Sequence, residues 1–320
     1  MKSYKYLGIV LDDSREYLTE QEKAWQSKSS KCLRQLHAQT LWACSRYEIS
    51  KVYWKAVAVP NLTYGNAAIT MSRRTRHILE RDQRGAARWA LGIPGHPVAS
   101  AFVDNELQWS TFEKREAQSK IRYSARISTL PLYRWPRAIL TMMETSDCKT
   151  RWYRRVEELK RLYRCSDLRV QLTIHGEPRL KRYNAEVEKR VTITARERMY
   201  NNMTTKTSLA TYRTYAEQAR NNTGLYSNDR GSSLLALARA GMLPTRQFRR
   251  HFEQGIQTHC VKCGMEPETV EHVVLECNPA LLGEHILIQR LGLTDPINHA
   301  AVRETKRILK TWEAETRTIR

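Results

Sequence analysis

The stretch CVKCG, at positions 260–264, is followed by EHVVLEC at positions 271–277. Together they carry Cys260, Cys263, His272 and Cys277, spaced Cys-x2-Cys-x8-His-x4-Cys. Thiolate and imidazole groups bind zinc at about 2.0–2.3 Å, and two cysteines separated by two residues reach one ion from a single turn. The glycine after the second cysteine suits such a turn. The spacing therefore predicts a closed, structural zinc site that shapes the C-terminal fold.

Two further features bear on residues 259–279, which are called the zinc segment. A short helix is predicted to start at Thr269, which would turn His272 inward and bring Cys277 in near the helix end. His251 and His259 are further candidates for the fourth ligand. The alternative to a metal site is a chance spacing of unrelated residues.

Acidic side chains outnumber basic ones in the zinc segment. One lysine, Lys262, stands against Glu266, Glu268, Glu271 and Glu276, and three thiolates on a divalent ion add a further negative charge. Such a surface repels phosphate. We therefore expect the zinc segment to stabilise the fold or to contact protein, and we expect nucleic acid to bind elsewhere.

The chain as a whole is strongly basic. Its 320 residues include 54 Lys and Arg against 33 Asp and Glu, a net charge of +21, and 41% of them are hydrophobic, enough for a real core. An excess of this size favours a polyanionic partner through counterion release. Nucleic acid is the partner that the charge predicts. The alternatives are a basic protein that is merely soluble and, less favoured by the sequence, a protein of the membrane surface.

Apolar runs are too short for a membrane span, and the N-terminus lacks the apolar core of a secretory signal. We therefore expect a protein of the nucleus or cytoplasm that is not secreted and has no membrane partner. Cys32, Cys44, Cys148 and Cys165 have no ligand partners at close spacing. They are predicted to be reduced and mostly buried.

Positions 4–11 alternate in the manner of a strand, which is predicted to end in a turn at Asp12 and Asp13. Nearly everything downstream has helical character, and a lone strand is not stable. We therefore expect the chain to be part of a longer protein whose sheet receives this strand. The two aspartates could form a metal-binding pair for phosphoryl chemistry, but no further acid lies nearby, so a turn is favoured.

Periodicity and punctuation predict a series of helices. They are expected at 18–43, at 45–59 with a stop at Pro60, at 73–91 with an end at Gly92, at 110–127 with a capping box from Ser110, from a cap at Ser232 to Gly241, and at 300–312. A short extended piece or a bend is expected at 62–65.

Positions 149–221 form the most basic part of the chain, with 18 Lys and Arg against 8 Asp and Glu. Trp152, Val156, Leu159 and Tyr163 recur at helical spacing and predict one apolar stripe. The rest of that helix is crowded with basic residues, namely Arg151, Arg154, Arg155, Lys160 and Arg161. They are candidates for phosphate contacts, and the alternative is the solvated face of a connecting helix.

Four motifs occur together: KYLGI at positions 5–9, AVPNLTYG at 58–65, Gln83-Arg84 with Leu91-Gly92, and the Cys and His spacing described above. In this combination they resemble the strand after the palm, the thumb motif, the thumb helix and the C-terminal zinc knuckle of reverse transcriptases of non-LTR retrotransposons, arthropod elements in particular. The likeness covers positions 4–130 and 234–279 and is weak between them.

The resemblance implies roles for particular residues. Lys5, Tyr6, Leu7 and Gly8 would lie in the primer-grip region, the helices up to position 127 would form the thumb around template and primer, and the zinc knuckle would help position the target. The fingers, the palm and the aromatic-x-Asp-Asp motif of the family are missing from this sequence. We therefore expect no polymerase activity from this chain, although the parent family is RNA-directed DNA polymerases.

The predicted fold is mainly α: a helical thumb-like bundle with one N-terminal strand, a basic helical linker and a small zinc-binding C-terminal module. The predicted boundaries are 1–14 for the strand from a missing palm, 15–130 for the thumb-like domain, 131–231 for the linker and 232–320 for the C-terminal region, with the zinc knuckle at 259–279.

The predicted function is sequence-independent binding of RNA, RNA–DNA hybrid or DNA, with structural zinc as the cofactor. The candidate contacts are Lys5, Tyr6, Leu7, Gly8, Arg81, Arg84, Arg88, Arg151, Arg154, Arg155, Lys160 and Arg161. The alternative is a zinc-containing protein-interaction module without a nucleic-acid role.

Overall fold

Helices dominate the protein, which confirms the mainly α prediction. The computed structural model describes residues 3–13, 18–172, 179–215, 222, 224–265, 267–277 and 286–318. Helix makes up 64% of the structure, and a two-stranded sheet lies at the N-terminal end of the described chain. None of the described helices is both long and apolar enough to cross a membrane.

The elements are labelled in chain order. Strands β1 and β2 span Ser3–Tyr6 and Ile9–Asp12. The helices are α1 (Thr19–Thr40), α2 (Arg46–Tyr53), α3 (Val59–Thr63), α4 (Arg73–Ala90), α5 (Ser100–Leu107), α6 (Phe112–Ser128), α7 (Trp135–Thr145), α8 (Arg151–Leu162), α9 (Leu180–Thr204), α10 (Ala210–Tyr215), α11 (Arg230–Arg239), α12 (Arg246–Arg249), α13 (Leu287–Arg290) and α14 (His299–Thr318). Short π-helical turns span Trp54–Ala58 and His272–Glu276.

The N-terminal segment is a hairpin, so the prediction of one lone strand over positions 4–11 is wrong. β1 pairs with β2 in antiparallel register, with Tyr6 opposite Ile9. Leu7 and Gly8 form the connection, and both have positive φ, 46° and 83°. A two-residue hairpin turn with positive φ at both positions matches the right-handed twist of its strands. The turn could not be recognised from the sequence, because the strand-like alternation of residues continues through Leu7 and Gly8.

Pro60 does not stop the second helix, contrary to the prediction. α2 runs into the π-helical turn Trp54–Ala58, and α3 follows with Pro60 at its second residue. Proline is tolerated in the first turn of a helix, where its missing N–H would have no partner in any case. The wider turn thus restarts the helix, and Leu62 and Thr63 are helical rather than extended.

Helix ends follow capping chemistry, with two corrections. α4 ends before Gly92, which has a φ of +73°, as predicted. The cap of α6 is Thr111 rather than Ser110, because the Thr111 hydroxyl accepts the Lys114 N–H at 3.1 Å. The cap of α11 is Asp229 rather than Ser232.

The chain divides into two units that interleave along the sequence. The first comprises Met1–Arg34, Lys55–Gln83 and Trp109–Met199, and the second comprises Gln35–Trp54, Arg84–Gln108 and Tyr200–Arg320. Each unit is built from three segments, and helices α1, α4 and α9 each contain one of the five boundaries between segments. The sequential boundaries proposed at positions 14, 130 and 231 stay predictions.

In the first unit, α6, α8 and α9 share one apolar core. Val156 and Leu159 of α8 are buried, as is Tyr163 directly after the helix, which confirms the predicted stripe. Trp152 is half-buried at its start and donates its indole N–H to the Ala67 carbonyl at 2.7 Å. The facing residues of the core are Ala117, Ile121, Ala125, Val187 and Val191.

In the second unit, α11 is buried from Gly231 to Arg239. The Arg239 guanidinium lies 2.7 Å from the Glu106 carboxylate and donates to the carbonyls of Leu291 and Gly292 at 2.6 and 2.9 Å. Burial disfavours the charge on Arg239, but the Glu106 carboxylate, acting together with Tyr226 and Tyr212, raises the pKa of Arg239 above its usual value. A fully buried ion pair therefore sits in the middle of this core.

Candidate metal centre and nucleic-acid interface

The four predicted zinc ligands lie together in the second unit. One donor atom each from Cys260, Cys263, His272 and Cys277 lies within 4.8 Å of all the others. The Sγ atoms of Cys260 and Cys277 are 3.6 Å apart, and Cys263 Sγ is 3.2 Å from His272 Nε2. Donors around a tetrahedral zinc ion lie about 3.5–3.8 Å from one another, given bonds of about 2.0–2.3 Å. The donor set and its spacing therefore fit a metal ion.

A tight turn brings the first two cysteines together. The Gly264 N–H donates to the Cys260 carbonyl at 2.9 Å, and the Cys260 N–H donates to the Met265 carbonyl at 2.7 Å. Gly264 has a φ of +72°, a conformation that side chains with a Cβ rarely adopt. The glycine that the sequence singled out thus closes the turn under the site.

A π-helical turn brings the other two ligands together. In an α-helix, residues five apart point about 140° away from each other. Here the Cys277 N–H donates to the His272 carbonyl at 2.8 Å, which is the i to i+5 bond of a π-helix. The wider winding rotates Cys277 back towards His272. Thr269 accepts the His272 N–H at 3.0 Å, which confirms it as the predicted start of this helix.

Glu276 orients the histidine ligand. The Nε2 atom of His272 faces Cys263, and its Nδ1 atom lies 3.2 Å from the Glu276 carboxylate. A carboxylate on the far ring nitrogen holds the proton there and leaves the other nitrogen free for the metal. Sequence reasoning counted Glu276 only as surface charge. Its position four residues after His272 was the signal that could have identified it.

The acidic surface expected on the zinc segment is smaller than predicted. Glu268 is buried, and its carboxylate accepts the Arg246 N–H at 2.9 Å at the start of α12. Glu271 and Glu276 are exposed. Glu266 lies outside the described residues.

The zinc segment packs beside the C-terminal helix. Cys260 and Lys262 share the walls of a small cavity, about 150 Å³, with Trp312 and Glu315 of α14. Lys262 Nζ lies 3.5 Å from the Glu315 carboxylate. The other candidate ligands, His251 and His259, are exposed and lie outside the cluster. The shared cavity and the pair of Lys262 with Glu315 hold the turn at Cys260 against α14.

The four cysteines outside the cluster divide into two groups. Cys32 and Cys165 are buried, as predicted, and burial raises the pKa of Cys165 to about 11. Cys44 and Cys148 are exposed, so the expectation of burial is wrong for them.

Arg155, a predicted nucleic-acid contact, is buried. Its guanidinium lies 2.9 Å from Glu116 and 3.2 Å from Glu113 of α6. Burial raises the pKa of Glu116, while the charges of Arg76 and Lys120 oppose that rise. Arg155 therefore joins α8 to α6 in a buried ion cluster and is not placed to contact phosphate. Its partner lies 39 residues away in sequence, which helical spacing does not reveal.

The other predicted cations on helices lie at or near the surface. Four of them have a carboxylate neighbour: Arg81 with Asp82 at 3.0 Å, Arg84 with Asp104 at 3.4 Å, Arg151 with Glu22 at 3.9 Å and Lys160 with Glu157 at 2.8 Å. Arg154 and Arg161 are exposed and donate to backbone carbonyls. Arg88 is half-buried and donates to the Val98 carbonyl.

The predicted contacts of the N-terminus lie on the hairpin. Lys5, Tyr6 and Leu7 are exposed, and Gly8 is half-buried in the turn. The Tyr64 hydroxyl donates to the Leu7 carbonyl at 2.8 Å. This bond joins the KYLGI motif to the AVPNLTYG motif within the first unit.

An open basic cleft lies along α4 near its N-terminus. It has a volume of about 670 Å³ and is lined by Arg73, Arg74, His77, Ile78 and Arg81. Among the described residues, neither of the first two arginines forms an ion pair. Sequence reasoning proposed only the last arginine as a contact. The run of two adjacent arginines at the start of this helix was the signal for the others.

Comparisons with known proteins give no match. No protein-family model matches the chain, and neither does any of the curated proteins or solved structures compared with it. The function must therefore be inferred from the chemistry of the two sites themselves.

Proposed function

We propose that this protein binds nucleic acid without sequence specificity and that a structural metal site holds its C-terminal fold. The observation that carries the proposal is the open cleft on α4, in which Arg73 and Arg74 are exposed and have no acidic partner among the described residues. Unpaired arginines can neutralise phosphates without first breaking an ion pair. The net charge of +21 acts in the same direction at longer range.

We further propose that the metal is zinc and that its role is structural. Three thiolates and one imidazole are the soft and borderline donors that zinc prefers. Four protein ligands fill a tetrahedral shell and leave no position for a substrate. Binding would join the turn at Cys260 to the π-helical turn at His272 through one ion.

The resemblance to reverse transcriptases of non-LTR retrotransposons remains our proposal for the origin of the chain. In support of it, the Tyr64 hydroxyl joins the KYLGI hairpin to the AVPNLTYG segment, as parts of one substrate-holding region would require. We expect no polymerisation by this chain, since it carries no aromatic-x-Asp-Asp motif. Extension of a labelled primer by the purified chain with magnesium would contradict that expectation.

Salt dependence tests the nucleic-acid proposal. Affinity for a generic duplex should fall linearly on logarithmic axes as salt rises, with a slope of about −0.9 for each phosphate neutralised. Replacing both Arg73 and Arg74 with Gln should make the slope shallower by about 1.8. Fluorescence anisotropy with labelled duplex at several salt concentrations measures this slope.

A matched variant separates the cleft from net charge. Arg122 and Arg164 are each paired with a carboxylate, at 2.8 Å to Glu188 and 3.0 Å to Glu197. Replacing both with Gln removes two positive charges, as many as in the Arg73 and Arg74 double variant. It should nevertheless change the salt slope less. Equal effects of the two double variants would mean that only net charge matters. Absence of binding even at low salt would refute the proposal.

A second candidate function is protein interaction through the zinc segment. Met265, beside the zinc turn, is 52% exposed, and Phe252 is 72% exposed. If this second function is correct, the affinity for nucleic acid should not change with salt concentration. Binding of the protein partner should require the metal.

Metal content is tested separately. Native mass spectrometry should find one zinc ion per chain, and Cys260→Ser should remove it and lower the melting temperature. Cys148→Ser, at an exposed thiol outside the cluster, is the matched control and should change neither. A wild-type chain without metal would refute the zinc proposal.

A further inference from the structure

Five apolar side chains stand exposed around the start of α7. They are Leu132 (67% exposed), Tyr133 (79%), Trp135 (80%), Ile139 (44%) and Met142 (49%), and together they are called the α7 surface. At about 200 Å² for an aromatic side chain, the tyrosine and the tryptophan alone expose roughly 300 Å². Patches of that size on a protein surface are commonly functional.

The α7 surface belongs to a helix that is packed on its other side. Leu140 and Met143 of α7 are buried in a small core with α6. Trp135, Ile139 and Met142 recur at i, i+4 and i+7, so they share a different line along the same helix. Packing of the buried residues therefore fixes the orientation of the helix and keeps the other three residues on a different side.

Arginines accompany the α7 surface, and the first acidic residue that follows it in sequence is Glu144, near the end of α7. Positions 117–143 contain no Asp or Glu. Arg126 and Arg134 are exposed and Arg137 is half-buried, and none of the three forms an ion pair within the described part of the chain. The Arg134 guanidinium lies 5.6 Å from the centre of the Tyr133 ring. One of these cations is thus held next to an exposed aromatic ring.

Rings and unpaired arginines together match the chemistry of unpaired nucleotides. Every base can stack on an aromatic ring, and arginines can hold the phosphates on either side of it. A duplex keeps its base faces inside the stack, so only a single strand can use the rings. An apolar protein partner would leave the arginines without counter-charges.

We propose that the α7 surface is a stacking platform for single-stranded nucleic acid. Trp135 and Tyr133 stack on bases, and Arg134 and Arg137 contact the adjoining phosphates. This inference rests on the proposed nucleic-acid function, and it adds to that function a preference for single strands at a site separate from the α4 cleft.

The test compares three aromatic variants, two on the α7 surface and one control, on two ligands. Trp135→Ala should lower the affinity for an oligouridylate of about 20 nucleotides by about 5- to 150-fold, the range expected for loss of one stacked base. Tyr133→Ala should act in the same way. Both variants should bind duplex RNA like the wild type. Trp42→Ala is the matched control, because Trp42 is 91% exposed but lies outside the acid-free stretch.

Each outcome decides between readings. Loss of single-strand affinity in the two α7 variants but not in Trp42→Ala supports the platform. Unchanged affinity in variants that circular dichroism shows to be folded overturns it. A second result would also overturn the platform. If the wild type sediments as a dimer, and Trp135→Ala dissociates the dimer without changing nucleic-acid affinity, the α7 surface joins two copies of the chain.

The platform and the proposed function can fail separately. If the α7 variants bind normally while the Arg73 and Arg74 double variant loses duplex affinity, the platform is wrong and the proposed function stands. If the wild type binds neither ligand, both are wrong.

Discussion

The buried pair between Glu106 and Arg239 provides the sharpest test of the second unit. Both side chains are fully buried, and the guanidinium lies 2.7 Å from one carboxylate oxygen. The other oxygen accepts the Tyr226 hydroxyl at 2.6 Å and the Asn222 amide at 3.1 Å. Glu106→Gln keeps the shape of the side chain but removes its charge and turns one acceptor into a donor.

The expected loss follows from what the substitution leaves behind. Removing one partner of a buried ion pair costs about 3–5 kcal/mol, because the other charge stays desolvated. Arg239 keeps two carbonyl acceptors, at Leu291 and Gly292, so the lower end of that range is expected. A loss of about 3 kcal/mol lowers the folding equilibrium constant by about 150-fold. That is a large part of the total stability of a domain.

Urea unfolding followed by circular dichroism measures this loss. Hydrogen exchange of peptides from α11 locates it, since amides of that helix should exchange faster in the variant. Glu157→Gln is the control. It breaks a surface pair with Lys160 at 2.8 Å and should change stability by no more than about 0.5 kcal/mol.

A loss below about 1 kcal/mol for Glu106→Gln would refute the reasoning, because a pair with that value behaves as a solvated one. If the variant does not fold, Tyr226→Phe offers a milder test. It removes one hydrogen bond to the carboxylate and should cost about 1–3 kcal/mol.

Three further predictions concern single positions. Glu276→Ala should lower metal affinity by about 10- to 100-fold in a competition titration with a chelator, and unchanged affinity would remove its role in orienting the histidine. Burial lowers the pKa of Lys120 to about 8, so the folded protein releases this proton more readily than the unfolded chain. The free energy of unfolding should therefore rise from about pH 8 to about pH 10 in the wild type but less in Lys120→Met, and parallel melting profiles would contradict this. Gly241→Ala should unfold the protein more readily than Gly255→Ala, because both have positive φ but only the first would push a Cβ into the Ser208 carbonyl; equal urea midpoints would exclude that clash.

Local patterns were enough to identify the four candidate metal ligands and about half of the described helices. The ligands at Cys260 and Cys263 share one turn, and a turn is specified by residues next to each other in sequence. Helices α1, α4 and α14 likewise follow from periodicity and end signals such as Gly92. The same local logic missed the two π-helical turns, because no residue type marks an i to i+5 bond.

Charge roles could not be predicted in this way. Arg155 and Arg154 are neighbours in one basic run, yet one is buried against Glu116 and the other is exposed. The difference depends on which side of α8 meets α6, and that is decided by packing between segments far apart in sequence. For the same reason Glu268, expected at the surface, is buried.

By itself, the sequence determined a mainly helical chain, a strong positive charge and the candidate metal ligands Cys260, Cys263, His272 and Cys277. These depend on composition and on spacings within one turn or helix. Only the tertiary structure decided that the N-terminal segment is a hairpin, which arginines lack a carboxylate partner among the described residues, and that Trp135, Ile139 and Met142 of α7 stay exposed. Those properties depend on contacts between residues that are far apart in sequence. Whether a side chain is buried depends on which other side chains pack against it after folding.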